Sequence, residues 1–145
     1  MTTIAYKDGI IACDARITNG TTITYDDYDK FVERDGISFA LCGYLCDYTR
    51  LIGAWFGETF TVAVEASALV FDGESLCYAA YDVTEGLCKT PILMERPYAI
   101  GSGSSHALTA MDMGASAYQA VEMAMKRDSC TGGKIRTLTV TKPIE

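Results

Sequence analysis

Thr2 stands directly behind the initiator methionine in the opening MTTIAY. Methionine followed by so small a residue is a good substrate for methionine aminopeptidase, and its removal leaves Thr2 with a free α-amine beside its own hydroxyl. Nucleophile and base then sit in one residue, the threonine–N-terminus variant of the catalytic triad. The competing reading is structural: threonine is a common β-former, and MTTIAY is equally the start of a strand. Other chemistries are poorly supplied. His106 is the single histidine, so a Ser-His-Asp triad would depend on it alone. Cys42 and Cys46 enclose three residues where a zinc-binding Cys-x-x-Cys pair encloses two. No metal and no cofactor is expected, and the case for Thr2 rests on partners elsewhere in the chain.

The elements that must position such a residue follow from the hydrophobic pattern. Thr2–Tyr6 and Ile10–Asp14 are apolar, β-rich runs around the turn Lys7-Asp8-Gly9, and Lys30–Glu33 and Ile37–Cys42 enclose Arg34-Asp35-Gly36. Thr18-Asn19-Gly20 reads as a polar loop, Thr21–Tyr25 as a strand, and Asp26-Asp27-Tyr28-Asp29 as a solvated acidic loop. Over Asp47–Phe60 the residues Tyr48, Leu51, Ile52, Trp55, Phe56 and Phe60 follow a helical period. Leu69–Phe71 and Leu76–Tyr81 form a further hairpin about Asp72-Gly73-Glu74, and Pro91 and Pro97 flank a connecting segment. Tyr98–Ile100 is a short strand running into Gly101-Ser102-Gly103-Ser104. Helices are expected over about Ser105–Met113 and from an N-cap at Ser116, with Gln119 completing a capping box, to about Arg127. Ile135–Thr141 alternates as a final strand. This order fits two stacked antiparallel sheets with helices outside.

The 145 residues are expected to form one domain over 1–145, large enough to bury roughly 70% of the unfolded chain's surface. A net charge of −7, with basic residues scattered singly apart from Lys126–Arg127, argues against nucleic acid. No apolar run approaches a membrane span, so no membrane partner is expected. The polar start reaches Lys7 and Asp8 at once and carries no signal-peptide core. Of the six cysteines, Cys13, Cys42 and Cys77 lie in apolar strand-like runs and behave as small hydrophobes. The set reads as reduced thiols of a cytoplasmic protein.

Four local clusters complete the picture: the Thr2 start, Asp14-Ala15-Arg16-Ile17-Thr18-Asn19-Gly20, Lys30 sixteen residues after Asp14, and Leu41-Cys42-Gly43 closing a strand. Further on come Ala99-Ile100-Gly101-Ser102-Gly103-Ser104 and Arg127-Asp128-Ser129-Cys130-Thr131-Gly132-Gly133. In this order the chain resembles the N-terminal-threonine peptidases of the proteasome β-subunit and HslV family, part of the N-terminal nucleophile hydrolases. A GSGS alone is weak evidence; these clusters in register from residue 2 to residue 133 are specific.

The resemblance implies an αββα sandwich of two antiparallel sheets, α+β in class, with one helical layer reduced. Asp47–Phe60 is expected on one outer face and the Ser105–Arg127 helices on the other. It implies that Thr2 is the nucleophile and its α-amine the base. Lys30 then activates electrostatically, Asp14 orients and neutralises Lys30, and Gly43 offers its N–H to the oxyanion. Ser102, Asp128 and Thr131 match the groups that fix the free amine. A substrate strand is expected near Thr18 and Gly43, with Ile17, Tyr28, Val32 and Leu41 at positions that line the family's first specificity pocket. Singly, each residue has an ordinary reading, such as a strand-end ion pair for Asp14 and Arg16, a solvated Lys30 or an N-cap Ser102. His106 falls outside the matched positions.

The leading expectation is a threonine-type endopeptidase acting on peptides or unfolded proteins. The alternatives are a catalytically silent proteasome-like scaffold subunit and an amidase of the same hydrolase class. The resemblance implies a homo-oligomer, ring or open spiral, built through the helices near Ser105–Arg127, and an ATP-dependent unfoldase as a partner. Family members carry two long helices after the glycine strand. Here only Asp47–Phe60 reads as one, since Thr61–Ala68 looks like loop or strand, so surfaces for ring stacking and unfoldase docking are expected to be reduced.

Overall fold

The structure, a computed structural model, describes residues 2–140; Met1, whose removal is expected from the sequence, lies outside the described residues. Strands β1 (Thr3–Lys7) and β2 (Ile10–Cys13) form the first hairpin. After β3 (Ile17–Asn19) and β4 (Thr22–Tyr25) come β5 (Phe31–Arg34) and β6 (Ile37–Gly43). A 3-10 turn (Leu45–Asp47) leads into α1 (Tyr48–Trp55). Three strands follow, β7 (Ala66–Phe71), β8 (Leu76–Asp82) and β9 (Gly86–Pro91). The rest is β10 (Tyr98–Gly101), α2 (Ser104–Asp112), α3 (Ala117–Met125) and β11 (Arg136–Thr139).

All pairings between these strands are antiparallel. One sheet has the order β10-β1-β2-β11, the other β5-β6-β7-β8-β9, and β3-β4 form a small ribbon. The period-2 alternation assigns each face. Ile4 and Tyr6 of β1 and Ile11 and Cys13 of β2 meet Ala40, Cys42, Leu69 and Leu76 between the sheets. The intervening Ala5 and Ala12 face away, against Ala107, Met111, Ala117, Ala120 and Val121 of α2 and α3. On the other sheet, Phe39, Leu41, Ala68, Val70 and Ala79 face α1 through Tyr48, Leu51 and Ile52. With both faces of both sheets covered, the layers are α, β, β, α, as expected from the sequence.

Differences in detail have local causes. The helical period continues to Phe60, yet α1 ends at Trp55. Gly57 adopts φ +103° and Glu58 N–H and Gly57 N–H donate to Gly53 O and Ala54 O, a Schellman stop. Phe60 still joins the core from the loop, its ring 5.8 Å from Tyr81. The layer over the five-stranded sheet therefore carries one short helix, and 61–65 contribute no second one. β3 and β9 were not expected: Thr18-Asn19 reads as loop, and Pro91 reads as a breaker although it sits at the end of an edge strand, where its missing N–H costs nothing. The capping box holds, with Gln119 N–H donating to Ser116 Oγ and Ser116 N–H to Gln119 Oε1. Thr141, the expected last residue of the final strand, lies outside the described residues. No helix among the described residues is long and apolar enough to cross a membrane.

Candidate active site

Thr2 sits immediately before β1, at the end where the two sheets meet. Its hydroxyl contacts both the Lys30 ammonium and the Asp14 carboxylate, and all three residues are buried. Lys30 stands immediately before β5, where its carbonyl accepts from Leu41 N–H at 3.0 Å. Its Nζ lies 2.8 Å from Asp14 Oδ1. A buried ion pair is tolerable only if its remaining lone pairs are also satisfied. Here Asp14 Oδ1 also accepts from Thr3 N–H (3.2 Å), and Oδ2 accepts from Gly132 N–H (3.0 Å) and Arg16 N–H (3.3 Å). Donors from three separate chain segments thus converge on one carboxylate and fix it.

A second cluster lies beside the first. Ser102 Oγ and Thr131 Oγ1 each donate to Asp128 Oδ2 at 2.6 Å, and Ser102 Oγ is 3.3 Å from the Thr2 carbonyl. Thr3 Oγ1 is 2.7 Å from Thr131 Oγ1. Because the carboxylate can only accept, the Thr131 proton is committed to Asp128, and Thr3 is the donor to Thr131. Burial pushes the Asp128 carboxyl up, but hydrogen bonds from Ser102, Thr131 and Cys130 N–H outweigh it and hold the group below the ordinary aspartate range. The GSGS segment passes tightly across Thr2. A Cβ on Gly101 would lie 2.0 Å from Thr2 O, and one on Gly103 would lie 2.1 Å from Thr3 Oγ1.

Gly43 ends β6 at φ +106°, and a Cβ there would lie 2.3 Å from Glu65 O. Only glycine fits this conformation and this approach. Gly43 separates two openings. One, of about 310 Å³, has Ile17, Thr18 and Gly20 along one wall and Gly43, Tyr44 and Leu45 along the other, with Cys130 beside them. The second, of about 410 Å³, lies between the sheets and is lined by Thr2, Cys42, Gly43 and Ser102, among others. Of the four residues matched to the family's specificity pocket, only Ile17 lines the first opening, beside Thr18 of the expected substrate strand. Leu41 is fully buried beneath α1 and Tyr28 packs against the same cluster, while Val32 is exposed on β5. His106 lies on α2 in an outer groove away from Thr2.

Two residues were not singled out from the sequence. Arg16 grips Asp26 with two hydrogen bonds (Nε–Oδ1 2.8 Å, Nη2–Oδ2 3.2 Å) and donates through Nη1 to Ser129 O at 3.0 Å. It packs so closely on Gly132 that a Cβ there would lie 2.4 Å from Arg16 Cζ. Arg16 thus ties the Asp14 segment to the loop that carries Asp128 and Thr131. Thr3 links the two clusters through its N–H and its hydroxyl. The alternation of β1 could have indicated Thr3, since it points away from the inter-sheet core as Ala5 does. Among the described residues, no group of three or more His, Cys, Asp or Glu side chains could hold a metal ion.

Comparison with known proteins bears on the fold. No family model matches the chain, and no curated protein does. Among solved structures, the chain is similar to BPH of Thiobacillus denitrificans, at 19% identity over 97% of this chain and 98% of that one, with a TM-score of 0.65. The same protein in complex with epoxomicin aligns at 18% identity, with a TM-score of 0.63 over 97% and 98% of the two chains. Eukaryotic HslV from Trypanosoma brucei aligns at 17% identity over 95% of this chain and 98% of that one, with a TM-score of 0.68. The architecture is therefore the proteasome- and HslV-like sandwich.

Proposed function

We propose that this chain is a threonine-type N-terminal nucleophile hydrolase that cleaves peptide bonds once Met1 has been removed. The observation that carries this reading is the buried contact of the Thr2 hydroxyl with Lys30 and Asp14, opening onto a cleft edged by Gly43. The α-amine of Thr2, with an ordinary pKa of about 7.7–8.0, takes the hydroxyl proton near neutrality. Lys30 favours the developing alkoxide, and Asp14 holds Lys30 in place. Oγ1 then bonds to the substrate carbonyl carbon, and the oxyanion forms where Gly43 N–H can meet it; one such donor contributes about 3–4 kcal/mol. Collapse breaks the C–N bond, the leaving amine takes its proton from the Thr2 ammonium, and water later cleaves the ester with the amine as base. The Ser102, Asp128 and Thr131 cluster holds the amine in its working orientation.

The substrate class follows from the extended segments Ile17–Asn19 and Gly43–Tyr44 that border the cleft, between which an unfolded chain can be accommodated as a strand. Epoxomicin, bound in the BPH structure, is a suitable inhibitor to try. The test is turnover of fluorogenic peptides by protein whose intact mass shows Met1 absent. Wild type turns over and Thr2→Ala does not. Full activity in Thr2→Ala removes the mechanism, and no activity in correctly processed wild type moves the assignment to a silent scaffold subunit.

A further inference from the structure

We infer that Asp47 is a positioning residue for the oxyanion site: its carboxylate holds the Gly43–Tyr44 turn in the geometry that aims Gly43 N–H at the substrate carbonyl. The inference rests on Thr2 acting as the nucleophile, and Asp47 itself lines neither opening beside Gly43. Asp47 stands directly before α1, where an aspartate ordinarily caps the helix, yet among the described residues its side chain accepts from no N–H of that helix. It is 4% exposed and directed elsewhere. Oδ2 accepts from Glu65 N–H at 2.8 Å, and Oδ1 accepts from Arg50 Nη1 at 2.5 Å, which pairs the buried charge.

The bond to Glu65 replaces one that a regular sheet would supply. Tyr44 N–H donates to Glu65 O at 2.8 Å, which carries the ladder between β6 and β7 one residue past their ends. In a regular antiparallel pair the return bond runs from Glu65 N–H to Tyr44 O. Here Tyr44 O accepts from Asp47 N–H at 3.0 Å instead, because the chain turns into the 3-10 segment. The Asp47 carboxylate takes the vacated place, so the turn holds Glu65 by both its N–H and its carbonyl. That carbonyl is the atom a Cβ on Gly43 would meet at 2.3 Å. The ladder also gives the direction of the Gly43 N–H. Leu41 N–H donates across to Lys30 O, and N–H groups two residues apart on a strand point the same way. Gly43 N–H therefore points to the Lys30 side, where the Lys30 ammonium contacts the Thr2 hydroxyl. Releasing Glu65 frees the turn to rotate, and the N–H loses its aim.

The test compares two variants that separate the position of the acceptor from its charge. Asp47→Asn keeps an oxygen in reach of Glu65 N–H and gives up the charge; Asp47→Glu keeps the charge and displaces the oxygens by a methylene. On a fluorogenic peptide, Asp47→Glu is expected to lower kcat by about 10²-fold with KM little changed, the scale of a misplaced group. Asp47→Asn is expected to stay within about threefold of wild type, the small difference between two hydrogen bonds to one donor. Should Asp47→Glu fail to fold in a thermal melt, Asp47→Ser, whose side chain is too short to hold Glu65, is read in its place. The reverse order, or a displaced acceptor with wild-type kcat, overturns the inference. A peptide aldehyde reads the oxyanion site without turnover. Thr2 Oγ1 bonds to the aldehyde carbon, the hydroxyl proton passes to the former carbonyl oxygen, and that oxygen lies at Gly43 N–H. The matching peptide alcohol has the same side chains and forms no such bond. Asp47→Glu should weaken the aldehyde about tenfold and leave the alcohol unchanged. Equal weakening of both overturns the oxyanion role. Processed wild type that neither turns over peptide nor binds the aldehyde more tightly than the alcohol overturns the nucleophile reading itself, and the task of Asp47 with it.

Discussion

Lys30 Nζ lies 2.8 Å from Asp14 Oδ1 with both side chains wholly removed from solvent, and the Thr2 hydroxyl touches both. A pair so placed is weak evidence for stability, because desolvation offsets much of its Coulombic attraction. Its position against a hydroxyl that is otherwise a poor nucleophile is what gives it a task. The three further N–H donors on Asp14, from Thr3, Arg16 and Gly132, make the arrangement rigid.

Replacing Lys30 by Met should therefore do two things. Turnover should be lost, and the fold should lose about 3–5 kcal/mol, the usual cost of leaving one partner of a buried pair uncompensated. The N–H donors that remain on Asp14 place the cost at the lower end. Lys30→Met with Asp14→Asn should recover stability without recovering activity. Urea denaturation of the two variants measures the first, and fluorogenic peptide turnover the second.

Gly43→Ala tests the oxyanion position. The new Cβ cannot be placed without moving the Glu65 carbonyl, and φ +106° is strained for alanine. Moving the N–H that would face the oxyanion should reduce kcat by about 10²–10³-fold. Thermal melts separate this from unfolding: a folded variant with unchanged KM and reduced kcat supports the role.

Much of this was legible in the sequence and some of it was not. The alternation Ile4, Tyr6, Ile11, Cys13 against Ala5 and Ala12 marks a strand pair buried on both faces, and the Asp14-to-Lys30 spacing survives intact in the structure as a contact. The order of the clusters pointed to the sandwich. What escaped was specified by long-range pairing. β9, Gly-Leu-Cys-Lys-Thr-Pro, is an edge strand with no alternation of its own that exists because β8 offers it a partner. The helical period through Phe60 is genuine amphipathicity, but a single left-handed glycine overrides it. Arg16 looked like an ordinary ion-pair residue because its second partner, Ser129 O, lies 113 positions away.

Arg16 is a positioning residue, and its effect should be read in kcat. Its guanidinium holds Asp26 through two parallel bonds that also draw the Asp26 carboxyl below its ordinary range. Lysine cannot reproduce that fork. Arg16→Lys and Arg16→Ala should both lower kcat by about tenfold with little change in KM, since the loop bearing Asp128 and Thr131 loses its tether to Asp14. Asp26→Asn combined with Arg16→Ala should be clearly less than additive; strict additivity would show that the two act separately.

The pH dependence has two limbs. The Asp128 carboxyl is held below its ordinary value of 3.8, so its contribution to stability is present above that value and disappears as pH falls through the folded-state pKa. Asp128→Asn should flatten the decline in melting temperature below about pH 4. Activity should follow the Thr2 amine instead, rising with pH through about 7.7–8.0 as the base loses its proton. A rate that falls over that range would exclude the amine as base.

Assembly is the last expectation. Isolated apolar residues on a surface are normal, but contiguous apolar surface is not. Between α2 and α3 an outer groove of about 590 Å³ is lined by Ala110, Met113 and Met123, with His106 and Arg127 at its edges. Met113 is 85% exposed and Met123 44%, while Tyr118 on the same helix pair is also open. A self-associating chain would cover this face, and head-to-tail contacts close into a ring or run on as a spiral according to the rotation between neighbours. Light scattering at micromolar concentration should give a mass several times that of the single chain. Met113→Glu with Met123→Glu should reduce it, with helical content unchanged because both side chains point away from the packed Ala117, Ala120 and Val121 face. A monomeric wild type would refute the oligomer, and an unchanged mass in the double variant would place the interface elsewhere.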